Sequence, residues 1–213
     1  MGIFGKKLKQ EHKIMLQAER AKGALLPEYH RATLECPNPS RWHMYDSMTA
    51  EAEVLEFLRT LVTTLKPNLI VETGAFLGVS TVWMAEGLRE NGFGRIVSCE
   101  LDPVVFAKAQ EKIAASGLGE WIDLRNVSSL DLETSGQIDL FFSDSDLEVR
   151  EQEVRQYLPK ISSTGLILMH DASSHPGIVR ESALRLEAEG LISVVLLPTP
   201  RGLAIAQKRE GRK

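Results

Sequence analysis

Cysteine is scarce in this sequence, and no long apolar run is present. Only Cys36 and Cys99 occur among 213 residues, which argues against a disulfide framework or a cysteine-ligated zinc site. No run of about 18 apolar residues could form a transmembrane helix. The N-terminus also lacks the apolar segment of a secretory signal. These absences predict a protein of the reducing cytoplasm with no transmembrane segment.

Clustered positive charge is confined to the two ends of the chain. Residues 1–22 and 208–213 are each net basic, whereas the whole chain has a formal net charge of −4, so the body between the ends is acidic. A surface that binds nucleic acid needs clustered Lys and Arg. We therefore expect no nucleic-acid partner, and we interpret the basic ends as solvated tails.

From about residue 68 onward, short apolar runs alternate with helical patterns. The predicted strands are residues 68–74, 95–101, 121–127, 138–144, 165–171, 192–198 and 202–208. The predicted helices are residues 49–65, 79–91, 103–117, 148–162 and 178–190. This alternation is typical of an α/β fold with a parallel sheet covered on both faces. The last two strands are joined by too few residues for a crossover, so they must pair antiparallel.

The pattern thus predicts a Rossmann-like, seven-stranded, mostly parallel sheet with helices on both faces and a C-terminal antiparallel β-hairpin. Residues 46–213 would form this domain. Residues 1–45 would be a separate helical and loop extension, with a helix at residues 4–26, that acts as a lid or as a contact in a homodimer. His43 and Tyr45, at its end, are candidates to line the substrate side.

The first predicted strand runs into a glycine-containing turn, VETGAFLGVST. Gly74 allows a tight turn where the strand ends, and Gly78 lets a ligand approach the main chain where the next helix begins. The G-x-G-x-x-G spacing of dinucleotide-binding folds is absent. Two glycines in a turn are often only a turn, so this motif alone is weak.

Acidic and hydroxyl residues follow the next two strands. Glu100 ends the second strand, where a carboxylate can accept hydrogen bonds from both hydroxyls of a ribose. Leu101 could cover an adenine ring, and Ser128 and Ser129 could bond its edge. The pattern favours a nucleoside ligand, but alone it does not separate a redox cofactor from a methyl donor.

Two aspartates end the fourth and fifth strands, Asp144 in FFSDSD and Asp171 in LMHDAS. Carboxylates at neighbouring strand ends can share a hard cation such as Mg²⁺. They can equally hold a substrate or cofactor by hydrogen bonds, or Asp171 can cap the helix that follows. His170 is an alternative base, although strand alternation would send it and Asp171 to opposite faces unless the strand has ended.

Together these motifs resemble the class I S-adenosylmethionine-dependent methyltransferases, in particular the small O-methyltransferases of the catechol and caffeoyl-CoA kind and their bacterial relatives. The resemblance covers residues 45–208. It implies S-adenosylmethionine as cofactor and a small-molecule methyl acceptor, with Asp144 beside the sulfonium. By the same resemblance, cofactor contacts come from Glu72, Gly74, Gly78, Ser80, Glu100, Leu101, Ser128, Ser129 and Asp144.

In the metal-dependent branch of that family, Asp144 and Asp171 would bind a divalent cation and would act in catalysis with His170 or another base. The chain departs from that branch at two positions. Ala172 stands where Asn usually follows the second carboxylate, and Leu147 stands where a Lys usually accepts the proton.

Three functions therefore remain open at this point. O-methylation of a small-molecule hydroxyl is favoured. A non-catalytic protein that binds S-adenosylmethionine is an alternative, because the usual Lys and Asn are missing. An NAD-dependent oxidoreductase is disfavoured by the absent dinucleotide fingerprint and by the terminal hairpin.

Overall fold

The structure is a computed structural model that describes Cys36 and residues 42–43, 48–174 and 177–209. The predicted helix at residues 4–26, Tyr45 and most of the predicted extension lie outside these described residues. His43 packs against the first described helix, because its Nδ1 lies 2.7 Å from Oε1 of Glu53.

Five α-helices and seven strands alternate along the described chain. In chain order they are α1 (Ala52–Leu65), β1 (Leu69–Thr73), α2 (Val79–Asn91), β2 (Arg95–Glu100), α3 (Pro103–Ser116), β3 (Ile122–Asn126), β4 (Ile138–Ser143), α4 (Arg150–Tyr157), β5 (Ile161–His170), α5 (Ile178–Ala188), β6 (Ile192–Leu197) and β7 (Leu203–Lys208). Most bounds lie within a few residues of those predicted. Asp102 caps α3 and Gly117 ends it in the left-handed region, as the sequence Asp-Pro and the following glycine indicate.

The seven strands form one sheet in the order β3-β2-β1-β4-β5-β7-β6. The first five are parallel, and β7 lies antiparallel between β5 and β6. The predicted fold class is confirmed, including the terminal hairpin. β2 and β3 lie on one side of β1, whereas β4 and β5 lie on the other side, so the strand order reverses between β1 and β4. Ligands of open α/β sheets bind at such a switch point, outside the carboxyl ends of the strands.

Two apolar cores fill the two faces of the sheet. Phe141 packs in one core and Phe142 in the other, because successive side chains of a strand point to opposite faces. Cys99 is buried in the first core, and both cysteines are free thiols, in line with the prediction of no disulfide. No helix within the described ranges is both long and apolar enough to cross a membrane.

One element differs from its prediction. The helix predicted over residues 148–162 ends at Tyr157, a 3₁₀ turn covers Leu158–Lys160, and β5 already begins at Ile161. Pro159 explains the early end, because proline lacks an N–H and disfavours helical geometry in the residue before it.

Candidate active site

A cavity of about 1430 Å³ lies at the carboxyl ends of the strands. It exceeds the roughly 300–1,000 Å³ of a typical small-molecule site, so it has room for two ligands. Its β1–β3 half is lined by residues 74–77, 99–103 and 127–130. Its β5–β7 half is lined by residues 48–50, 171–174 and 200–201, with Arg180. The loop after β4, residues 144–147, lies between the halves.

The turn after β1 needs Gly74. Its φ is +80°, and a Cβ there would lie 2.4 Å from the carbonyl oxygen of Asp144. The amides of Gly74 and Ala75 donate to the carbonyl of Cys99, at 3.0 and 2.9 Å. The ends of β1, β2 and β4 are thereby held together under the cavity. Position 74 must therefore be glycine for steric reasons as well as for the turn that the motif indicates.

Gly78, the second predicted glycine, also has a positive φ of +73°, at the N-terminus of α2. It is not among the described residues that line the cavity, although Val79 and Ser80 are. The N-terminus of a helix offers unpaired amides that favour a carboxylate. The predicted contact at this place is therefore with the first amides of α2 rather than with Gly78 itself.

Glu72 lies beneath this turn, fully buried, and no part of it is among the described cavity-lining atoms. Its carboxylate accepts hydrogen bonds from the hydroxyls of Ser80 (2.5 Å), Ser98 (2.6 Å) and Thr81. Burial raises the pKa of Glu72, although the three hydroxyls oppose that rise. Glu72 is thus a positioning residue for the turn, and Ser80 meets the cavity while its hydroxyl is committed to Glu72.

Glu100 stands where the sequence predicts it, at the end of β2 and on the cavity wall. One carboxylate oxygen accepts the amide of Phe76 at 2.9 Å, and the other accepts the amide of Asp102 at 2.9 Å. A carboxylate has about four lone-pair sites, so both oxygens can accept a further bond. The two amides therefore fix the carboxylate in an orientation suited to a diol.

The other predicted nucleoside contacts also line the β1–β3 half. Leu101 is 69% exposed, which is unusual for a leucine and fits a ring-covering role. Ser128 and Ser129 follow β3 and also line the cavity. The Tyr157 hydroxyl donates to the carbonyl of Ser129 at 2.6 Å and so holds this loop from below.

A buried network of six charged side chains lies beside the β5–β7 half. We call it the charged cluster, and its members are Glu51, Asp144, Arg150, His170, Asp171 and Arg201. Three carboxylates meet three cationic side chains within it. Such balance is expected, because a buried charge is tolerated only when it is paired and hydrogen-bonded.

His170 is a candidate base from the sequence, and its contacts in the structure argue against that role. The ring is fully buried, its Nδ1 lies 3.2 Å from Oδ1 of Asp144, and its Nε2 lies 2.9 Å from Oε2 of Glu51. Burial opposes protonation, but the neighbouring carboxylates outweigh it and raise the pKa of His170 to about 10. An imidazolium that donates from both nitrogens has no lone pair to accept a proton.

Asp171 reaches the same cluster because β5 ends at His170. Asp171 has a φ of +64°, so the alternation of the strand stops there: Asp171 pairs with Arg150, His170 pairs with Asp144, and the two side chains lie 3.8 Å apart. Arg201 donates from Nε to Oδ1 of Asp171 at 2.6 Å. Burial opposes ionisation of Asp171, but the three cations around it outweigh burial and hold its pKa below the usual range.

A divalent cation at Asp144 and Asp171 was the second prediction for this site. One potential ligand atom from each of Asp144, His170 and Asp171 lies within 4.8 Å of the others, so the predicted proximity is found. However, the guanidinium of Arg150 already bridges the two carboxylates, at 3.2 Å to Asp144 and 3.0 Å to Asp171. The donor set does not fit a cation, and Leu147 and Ala172 add no ligand to it.

Four buried charged residues were missed by the sequence reasoning, namely Glu51, Arg150, Glu153 and Arg201. Glu153 accepts hydrogen bonds from the hydroxyls of Thr73, Ser143 and Ser145 under the β4 end. One signal was present for Arg201, an arginine placed between Pro and Gly in the tight turn before β7. For the others, helical or loop positions in a charged stretch gave no sign of burial.

Comparison with known proteins agrees with this geometry. Residues 71–172 match the model of a family described as a methyltransferase domain. A catechol O-methyltransferase of Niastella koreensis is 31% identical over 122 residues, which cover 54% of either chain, so this chain spans about half the length of that relative. A putative O-methyltransferase of Mycobacterium sp. (strain KMS) is 25% identical, and the match covers 71% of this chain and 75% of the relative.

The fold has a solved counterpart. The crystal structure of an SAH-bound methyltransferase from Podospora anserina superposes with a TM-score of 0.69 at 19% identity, and covers 94% of this chain and 96% of its own. This likeness shows the fold. Taken with the sequence matches, it confirms the resemblance that the strand-end motifs predicted.

Proposed function

We propose that this chain, whose residues 71–172 match the model of a methyltransferase domain, is an S-adenosylmethionine-dependent O-methyltransferase that acts on a hydroxyl of a small molecule. The main observation behind the proposal is that Glu100 and the Gly74 turn line the cavity together, with the Glu100 carboxylate accepting a hydrogen bond from the amide of Phe76 in that turn. The Glu100 carboxylate can accept from a ribose diol, and the first amides of the helix that follows the turn can donate to an amino-acid carboxylate. The O-methyltransferase names of the relatives support the same activity.

The β1–β3 half of the cavity binds the cofactor in this proposal. Glu100 accepts the ribose hydroxyls, Leu101 covers the adenine, and Ser128 and Ser129 bond its edge. The first amides of α2 meet the carboxylate, and the carboxylate of Asp144 faces the sulfonium. When bound, S-adenosylmethionine supplies a methyl group whose transfer forms an O–CH₃ bond, breaks the C–S bond, leaves the electron pair on sulfur and releases the hydroxyl proton.

The β5–β7 half binds the acceptor. Asp144 lies in the loop between the two halves, and its Oδ1 is held by Arg150 and His170. Its Oδ2 has no hydrogen bond to the described part of the chain, so this oxygen accepts the hydroxyl proton and passes it to water. Because the reacting atoms must be aligned with water excluded, the main work of these residues is orientation.

The remaining predictions concern the binding partners and the cellular location of the protein. A small-molecule acceptor suits a cavity with room for a second ligand, and the acidic body disfavours nucleic acid. Residues 1–45 as a lid or as a homodimer contact, and a cytoplasmic location, stay predictions from the sequence. The non-catalytic and NAD-dependent alternatives gain no support from the relatives' names.

Isothermal titration calorimetry tests the cofactor. We expect S-adenosylmethionine and S-adenosylhomocysteine to bind and NAD to give no heat. Heat on adding NAD, with none on adding S-adenosylmethionine, would overturn the proposal. Incubation with a panel of catechols, phenols and sugars, followed by assay of S-adenosylhomocysteine, then separates an enzyme from a non-catalytic binder.

A further inference from the structure

We propose that this methyltransferase works without a divalent cation, because the guanidinium of Arg150 occupies the position between Asp144 and Asp171 that a cation would need. The inference rests on the proposed function and concerns the same site. Its basis is a set of contacts made by one side chain, and it does not depend on any protonation equilibrium.

Arg150 is 2% exposed and is fixed by backbone as well as by carboxylates. Nε and Nη2 donate to the carbonyl of Ser145 at 3.0 and 2.6 Å, and Nη1 donates to the carbonyl of His170. Nη2 also reaches Asp144 and Asp171. A cation between the two carboxylates would displace the Nη2 contacts to Asp144 and Asp171 and leave a buried guanidinium without a carboxylate partner, which is strongly unfavourable.

The second oxygen of Asp171 is also committed. Arg201 donates from Nε to Oδ1 of Asp171 at 2.6 Å, and its Nη1 donates to the carbonyl of Met48 at 2.6 Å. The Ser174 hydroxyl donates to the same Oδ1 at 2.9 Å. Asp144 and Asp171 are thus matched by two guanidinium groups, and a divalent cation would add uncompensated positive charge to a buried site.

The two arginines also supply what a cation would supply. Arg150 and Arg201 both line the cavity. Fixed positive charge near the acceptor stabilises negative charge that develops on its oxygen during transfer. Arginine stays protonated at any working pH, so it cannot take the hydroxyl proton, and Asp144 keeps that role. Arg150 is therefore an electrostatic substitute for the metal.

Mn²⁺ binding, followed by electron paramagnetic resonance on chelator-treated full-length protein, tests the inference. We expect the wild type and Arg150→Lys, which keeps the charge, to bind no Mn²⁺ at the site. Arg150→Gln, which removes the charge, should bind Mn²⁺ at least about 10-fold more tightly than the detection limit set by the wild type. A folded Arg150→Gln protein without that gain would show that Arg150 does not exclude the cation, and would overturn the inference.

If Arg150→Gln fails to fold, Mn²⁺ binding by the wild type and by Asp171→Asn is compared instead. One Mn²⁺ bound by the wild type and lost in Asp171→Asn overturns the inference. No wild-type binding, with S-adenosylmethionine affinity unchanged by Mn²⁺, supports it. Failure to bind S-adenosylmethionine at all overturns the proposed function instead. With a known acceptor, methyl transfer should be the same in excess chelator and in millimolar Mg²⁺.

Discussion

Nε2 of His170 lies 2.9 Å from Oε2 of Glu51, a residue 119 positions earlier in the chain, and both side chains are fully buried. The pair joins the end of β5 to the segment before α1. Burial raises the pKa of Glu51, but the His170 ring and the Arg201 amide outweigh that effect and lower it to about 2. Each partner is therefore ionised at neutral pH and depends on the other.

The first prediction concerns stability against pH. The pKa of His170 is about 10 in the fold and 6.5 without it, so the stabilisation is complete below about pH 6.5 and is lost as the pH rises toward 10. In urea titrations, His170→Gln should cost about 3–5 kcal/mol at neutral pH and should flatten the decline of unfolding free energy between pH 7 and 10. His43→Gln, which breaks a partly exposed pair with Glu53, should leave that decline unchanged. An unaltered decline in His170→Gln would contradict the assignment.

The second prediction concerns the turn after β1. Gly74→Ala places a methyl group 2.4 Å from the carbonyl oxygen of Asp144, whereas Gly117 has a similar positive φ with nothing within 4 Å of the added Cβ. Gly117→Ala should cost about 1–2 kcal/mol for the left-handed geometry. Gly74→Ala should cost about 1–3 kcal/mol more for the collision, with weaker binding of S-adenosylmethionine. Equal losses in thermal and chemical unfolding would rule out the close approach.

The third prediction tests the ribose contact. Glu100→Gln removes the charge that strengthens both bonds to the diol, and we expect S-adenosylmethionine affinity to fall about 10- to 100-fold. Calorimetry gives the affinity, and circular dichroism checks the fold. The control is Glu111→Gln, an exposed position on α3. Affinity within error of the wild type in Glu100→Gln would remove this residue from the cofactor site.

The fourth prediction separates Glu72 from Glu100. Glu72→Gln turns one acceptor oxygen into a donor facing the three hydroxyls, so about 1–3 kcal/mol of unfolding free energy should be lost. Since Glu72 lies beneath the turn, the affinity for S-adenosylmethionine should fall less than in Glu100→Gln. The reverse order of affinities would place Glu72 in direct contact with the cofactor.

The fifth prediction concerns the loop that carries Ser128 and Ser129. Tyr157→Phe deletes the hydroxyl that donates to the carbonyl of Ser129 at 2.6 Å and whose oxygen also lies 3.2 Å from the carbonyl oxygen of Leu132. We expect a loss of about 1 kcal/mol in urea unfolding, with an unchanged dependence on urea concentration. A stability equal to that of the wild type would mean that water replaces the hydroxyl without cost.

The sheet could be predicted from the sequence, because the spacing of apolar residues and the glycines and prolines between elements are local features. Apolar runs such as IDLFF predict buried parallel strands, and the short Thr-Pro-Arg-Gly link demands an antiparallel last pair. The sequence was also enough to locate Glu100 and the Gly74 turn at the cavity, since each comes directly after the end of a predicted strand.

Local pattern failed in the β5–β7 half. The left-handed backbone at Asp171 moves that side chain beside His170, and Arg150 enters from the first turn of a helix whose polar sequence gives no sign of burial. The positions of these two side chains depend on contacts between distant parts of the chain. Apolar spacing and secondary-structure propensity do not report such contacts.

The link between Arg201 and Glu51 has a consequence for biosynthesis. The amide of Arg201 donates to Glu51 at 2.8 Å across 150 residues of chain, and its side chain neutralises Asp171. During translation, the strands of the β1–β3 half leave the ribosome before Arg201, which follows β6 in chain order. The contacts of Arg201 with Glu51 and Asp171 therefore form only after the β6–β7 hairpin has been made, later than the contacts within the β1–β3 half.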